Sequence, residues 1–139
     1  MLFLLFRIGG DRFALGIDEL IEILPLMALK RLRQAPPGVA GSFDYRGRFV
    51  PVVDPALIET GEPARELMST RIVMTRYRGG LLGLIAEQAT ATFRCEPADF
   101  TPFASGPDGL VQRIEVDALL SPAIRNYLSH EMADGDDLR

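Results

Sequence analysis

The chain has one cysteine, one histidine, no surplus of positive charge and no long apolar run, and each shortage excludes something. Cys95 alone can form neither an internal disulfide nor a CxxC redox pair, which fits a reducing compartment. His130 alone rules out a His-rich metal site and leaves at most one histidine for acid–base work. Fifteen Lys and Arg against 19 Asp and Glu give a formal charge of −4. Nothing there would neutralise a phosphate backbone, so nucleic acid is not an expected partner. The apolar opening, Met1–Phe6, has no basic region ahead of it and stops at Arg7. A signal peptide needs a longer apolar core, and a membrane-spanning helix needs about 20 apolar residues. The chain is therefore expected to be cytoplasmic, with no membrane insertion, no metal and no cofactor.

What remains is an ordinary globular composition, 47% apolar and 24% charged over 139 residues, about one domain's worth of chain. Residues 3–8 and 12–17 read as two strands around the Gly9-Gly10-Asp11 turn. Asp18 can cap a short helical turn that Pro25 must end. Residues 27–32 read as a strand. So do 39–45 and 48–53, joined by the Arg46-Gly47 turn, with Pro51 marking an edge or a bulge. Asp54-Pro55 has the form of an N-cap followed by proline at the first helical position. Residues 59–69 read as an exposed loop and the best linker. Strands at 70–76, 81–86 and 89–95 follow, then a loop over 96–109, a strand over 109–116 and a helix from Ser121-Pro122 to about Met132. The Tyr77–Gly80 turn and its flanks echo the first hairpin and suggest two similar halves. About eight or nine short strands with no helix of crossover length mean a mainly β barrel or sandwich. Phe6, Phe13, Leu15, Phe43, Val50, Val52, Ile72, Leu82, Leu84 and Ile114 are the expected core, because they alternate with polar or small neighbours.

Catalytic signals are sparse. There is no G-x-S-x-G elbow and no phosphate-binding G-x-x-x-x-G-K-[ST] loop. Cys95 reads as a small hydrophobe in a β-run, His130 as a surface residue near a helix end, and Asp54 as a cap rather than a base. The acids of 131–137 lack calcium-loop spacing. A small enzyme or ligand-binding barrel would have to place its site near Asp44, Arg46 and Asp54. Otherwise Arg46, at a tight turn, is a solvated charge, an exposed ion pair with Glu22, or an anchor for a protein partner.

Gly41-Ser42-Phe43-Asp44-Tyr45-Arg46-Gly47-Arg48-Phe49-Val50-Pro51-Val52-Val53-Asp54 resembles the G-x-x-N-x-R-G-x-x-x-P-[VI]-x-D motif of the CheW-like domain of bacterial chemosensory coupling proteins. Leu20-Ile21-Glu22-Ile23 resembles that family's V-x-E-I segment, residues 80–87 its glycine-centred strand, and residues 114–120 its closing L-x-x-L-L. The resemblance implies two small SH3-like five-stranded β-barrel subdomains with short helices and a C-terminal helix. It places one domain over 1–132, with subdomains of roughly 14–70 and 71–116, and a polar tail over 133–139. It implies a non-enzymatic adaptor between the cytoplasmic tip of a chemoreceptor and the regulatory domain of a CheA-type histidine kinase. Leu20, Glu22 and Arg46 take the receptor-contact positions, while no short motif marks the kinase contact. There are departures. Asp44 replaces an Asn, Pro55 a Leu, and Glu87-Gln88 an acid–glycine pair. The short 96–109 segment shows no penultimate strand, which predicts a second barrel that is incomplete or open. These departures suggest an accessory pathway, with a Wsp-type surface-sensing system as one example.

Overall fold

Strand β1 (Leu2–Ile8) carries one polar residue in seven because both of its faces are covered. Phe3 and Leu5 pack with Ala14 and Val111 on one side. Leu4, Phe6 and Ile8 pack with Leu15, Leu82 and Leu84 on the other. The computed structural model describes residues 1–107 and 109–137, and side chains as far as Glu131. After β1 come β2 (Asp11–Gly16), a 3₁₀ turn at Ile17–Glu19, β3 (Leu20–Pro25), β4 (Val39–Tyr45), β5 (Arg48–Val53) and helix α1 (Pro55–Thr60). Then follow β6 (Arg71–Tyr77), β7 (Gly80–Arg94), β8 (Phe103–Gly106), β9 (Gly109–Ile114), a second 3₁₀ turn at Val116–Leu119, and helix α2 (Pro122–Asp137).

The strands form two five-stranded barrels that share β7. The first runs β4-β5-β7-β6-β3, and the second runs β7-β1-β2-β9-β8. Each contains one parallel pair, β5 with β7 and β2 with β9; the other pairs are antiparallel. The shared strand can serve both because it is bent. Gln88 has φ 53°, and the ladder with β1 shifts register between Leu5 and Arg7, opposite that point. The four steps of β7 from Glu87 to Ala91 face two of β1, and extra residues of this kind kink a strand and redirect its edges. Gly83 allows the close approach of β5 and β6 to β7. A Cβ there would lie 3.0 Å from Ile72 Cγ2 and 3.1 Å from Val52 Cγ2. The bridge between Lys30 and Ser42 ties the segment after β3 to β4, across the gap between the first barrel's two edges.

Packing follows the same plan. A central core draws on both barrels and on Ile124 and Leu128 of α2. Phe3, Leu5, Ala14 and Val111 fill the second barrel, and Val50, Met74 and Leu81 fill the first. Of the expected core residues, Phe6, Leu15, Val50, Val52, Ile72, Leu82 and Leu84 are at most 1% exposed. Phe13, Phe43 and Ile114 are half-buried against the edges of these cores.

Four local expectations are corrected. Leu20–Pro25 is a strand rather than the continuation of a helical turn, because β6 supplies it with a ladder. Residues 27–32 contain only the Lys30 bridge. The strands expected at 81–86 and 89–95 are one strand, continuous through the Gln88 bulge. The loop expected over 96–109 contains β8, which pairs with β9 and supplies the second barrel's fifth strand. The second barrel therefore has the strand thought to be missing. The backbone of the expected polar tail continues α2 as far as Asp137; residues 138–139 lie outside the described residues.

Candidate functional site

The β4–β5 hairpin turns through Arg46 and Gly47, with φ 53° and 83°. Tyr45 pairs with Arg48, so the loop is two residues long and both are left-handed, the turn that matches the twist of a hairpin. Glycine adopts that conformation freely, whereas an arginine there costs about 1 kcal/mol. The turn is held by Asp44, whose Oδ1 accepts from the Gly47 N–H at 2.7 Å. The departure from Asn to Asp therefore keeps the acceptor that closes the turn.

Tyr45 packs against the first barrel's core, and its hydroxyl donates to Glu22 Oε1 at 3.3 Å. Arg46 is exposed, with its guanidinium carbon 5.0 Å from the centre of the Tyr45 ring. A guanidinium over an aromatic face is held by cation–π attraction while its donor edge stays free. Of the three residues carried over by resemblance, the structure joins Glu22 and Arg46 through Tyr45. It does not bring Leu20 to them. The bulge between Leu20 and Glu22 shifts the register of β3 on β6, and Leu20 packs against the central core. Ile21 shares the first barrel's core with Tyr45, and Ile23 is 38% exposed on the same strand. Tyr45 is the member that sequence reasoning missed; an aromatic residue just before an Arg-Gly turn was the available signal.

Asp54 stands at the far end of β5. It is 4% exposed and caps α1: Oδ1 accepts from Ala56 and Leu57, and Oδ2 accepts from Ala64. Burial pushes its carboxyl above the usual range, with Glu87 adding to the shift and the backbone donors opposing it. Asp54 lies six residues from Arg48, roughly 20 Å along an extended strand. Asp44, Arg46 and Asp54 therefore do not converge, which overturns the reading of an enzyme or ligand site around them. Cys95 is half-buried beside the second barrel's core, and burial raises its thiol pKa. His130 is exposed on α2.

A second Tyr-Arg-Gly turn joins β6 to β7. Arg78 and Gly79 have φ 49° and 79°, and the Arg78 guanidinium carbon lies 5.1 Å from the centre of the Tyr77 ring. Here the tip is occupied by the chain itself. The Tyr77 hydroxyl donates to Asp117 Oδ1 at 2.8 Å, and Arg78 Nη1 donates to Ser129 Oγ of α2 at 2.8 Å.

Two five-stranded barrels fused along one strand define a paired-barrel β fold as the class. No helix among the described residues is long and apolar enough to cross a membrane. The chain belongs to the CheW-like domain family, whose profile matches residues 2–117. That family consists of chemosensory coupling scaffolds rather than enzymes. The chain is 25% identical over 100 residues to the chemotaxis protein CheW of Helicobacter pylori, covering 72% of this chain and 61% of that protein. It is 25% identical over 112 residues to protein FrzA of Myxococcus xanthus, covering 81% and 70%. Its fold is similar to the crystal structure of the scaffolding protein TtCheW from Thermoanaerobacter tengcongensis. The TM-score is 0.77 and the identity 16%, over 86% of this chain and 87% of that one. The chain thus spans about three-fifths of the length of the Helicobacter relative.

Proposed function

We propose that this protein is a non-enzymatic adaptor that couples the cytoplasmic tip of a chemoreceptor to a CheA-type histidine kinase, with Arg46 as the receptor anchor. The observation that carries this reading is the open Tyr45-Arg46-Gly47 tip, an exposed guanidinium stacked on a tyrosine that is itself tethered to Glu22. Family membership supports the general partner kinds. Physically, a guanidinium held at a fixed angle can clasp a carboxylate or carbonyl on a helical partner with two parallel hydrogen bonds. Glu22 and Tyr45 act as positioning residues for that fork, and the partly exposed Ile23 next to Glu22 on β3 adds apolar surface to that strand. Leu20, half-buried against the central core, supports β3 at its start, and its exposed part is available to the same partner.

The test is titration of a receptor cytoplasmic-tip fragment against the native protein and Arg46→Lys. Lysine keeps the charge and loses the fork, so affinity should fall about tenfold, the factor that 1.4 kcal/mol represents. Equal affinity would mean that the tip supplies only charge or no contact at all.

A further inference from the structure

From Ile23 to Phe43 the chain contains no acidic residue, although acids outnumber bases overall, and it contains Lys30, Arg31 and Arg33 within four positions. All three are exposed. Among the described residues their side chains make no hydrogen bond, ion pair or ring contact. Arg31 and Arg33 line an open cleft of about 580 Å³ whose lining also includes the apolar Pro36, Pro37 and Leu57. Arg33, Gln34 and Pro36 also border a neighbouring cleft of about 450 Å³ against the outer face of α2 at Asn126, Tyr127 and His130. The walls are fixed. Gln34 is left-handed at φ 59°, Val39 donates to Pro36 O, and Asp54 donates to Gly38 O at 2.7 Å.

We propose that this basic cleft docks an acidic, extended peptide segment of a partner protein. Charge complementarity chooses the occupant: Arg31 and Arg33 share the lining with apolar residues, and Glu131 is the acidic residue among those bordering the second cleft. Spacing sharpens the choice. Positions two residues apart lie at most about 7 Å apart, the spacing of alternate residues in an extended partner. The clefts are open rather than enclosed and share Arg33, Gln34 and Pro36, which suits a peptide better than a small molecule. The site lies at the base of β4, whereas Arg46 lies beyond its other end, roughly 20 Å along the strand. The inference stands independently of the receptor reading.

The experiment measures fluorescence anisotropy of a labelled peptide of alternating glutamate and alanine, alongside the same peptide with glutamine for glutamate. The acidic peptide should bind and the amide peptide should not, with affinity falling as salt is raised. The double variant Arg31→Gln/Arg33→Gln should weaken binding about tenfold or more, through loss of two charge-assisted contacts. Its melting temperature should be unchanged. Ala40→Glu, at the exposed rim of the same cleft, should weaken binding by repulsion while leaving both arginines in place. Arg46→Ala should bind the peptide normally. Equal binding of the amide peptide, undiminished binding by the double variant and Ala40→Glu, or displacement by inorganic phosphate at concentrations equal to the peptide's would each overturn the proposal.

Discussion

The two Tyr-Arg-Gly turns share local chemistry and differ in what covers them. Both are two-residue left-handed hairpin tips, and in both the arginine sits about 5 Å over the preceding tyrosine ring. Both tyrosine hydroxyls donate to a carboxylate, Glu22 in one case and Asp117 in the other. The Tyr77 tip is tethered to α2: the exposed Arg78 donates to Ser129, and Arg125 donates to the Asp117 carbonyl oxygen. Nothing among the described residues closes the Tyr45 tip in that way. A motif that is structural at one hairpin of the first barrel is thus available at another, and the deciding factor is the position of a helix far along the chain.

Replacing each tyrosine should separate the two tips most sharply. Tyr77 is 6% exposed, so Tyr77→Ala should cost about 3–5 kcal/mol of stability through lost packing and the cavity left behind. Tyr45 is half-buried, and Tyr45→Ala should cost about 1–2 kcal/mol. Chemical denaturation of both variants measures the gap, and equal losses would erase the distinction. Tyr77→Phe is milder. It removes the hydrogen bond to Asp117 while keeping the ring, and should cost about 1 kcal/mol in the same assay.

A smaller effect lies at alkaline pH. Burial, then the hydrogen bond to Asp117 and its charge, raise the Tyr77 hydroxyl above its ordinary value of 10.0. As pH climbs past that value the unfolded chain loses this proton before the folded one. Stability from this group is therefore constant below pH 10 and declines above it. Denaturation midpoints of native protein and Tyr77→Phe followed upward from neutral pH should show a shallower alkaline decline in the variant. Parallel curves would show that Tyr77 is not the group responsible.

Much of the fold was legible because it is written locally. Glycine turns and alternating apolar residues mark β1, β2, β4, β5 and β6 within the sequence itself, and Asp54-Pro55 announces α1. The errors fall where distant chain decides. Leu20–Pro25 becomes a strand because β6 lies alongside, and β8 is too short to be seen without β9. The continuity of β7 depends on a bulge at Gln88, a residue with no turn signature. At the tip, Arg46 and Gly47 could be read directly. The link through Tyr45 to Glu22 could not, since it arises from barrel closure across 23 positions of sequence. The twin tip at Tyr77 was visible only as a glycine turn, because its closure rests on α2.

The central claim, that one tip is for binding and the other for stability, is tested most directly by Arg46→Ala and Arg78→Ala measured side by side. Each variant is melted and titrated with the receptor cytoplasmic-tip fragment. Arg46→Ala should lose about 1–3 kcal/mol of binding with an unchanged melting temperature. Arg78→Ala should bind normally and lose at most about 1 kcal/mol of stability, because its hydrogen bond to Ser129 is exposed. Intact receptor affinity in Arg46→Ala, together with a lowered melting temperature, would contradict the account.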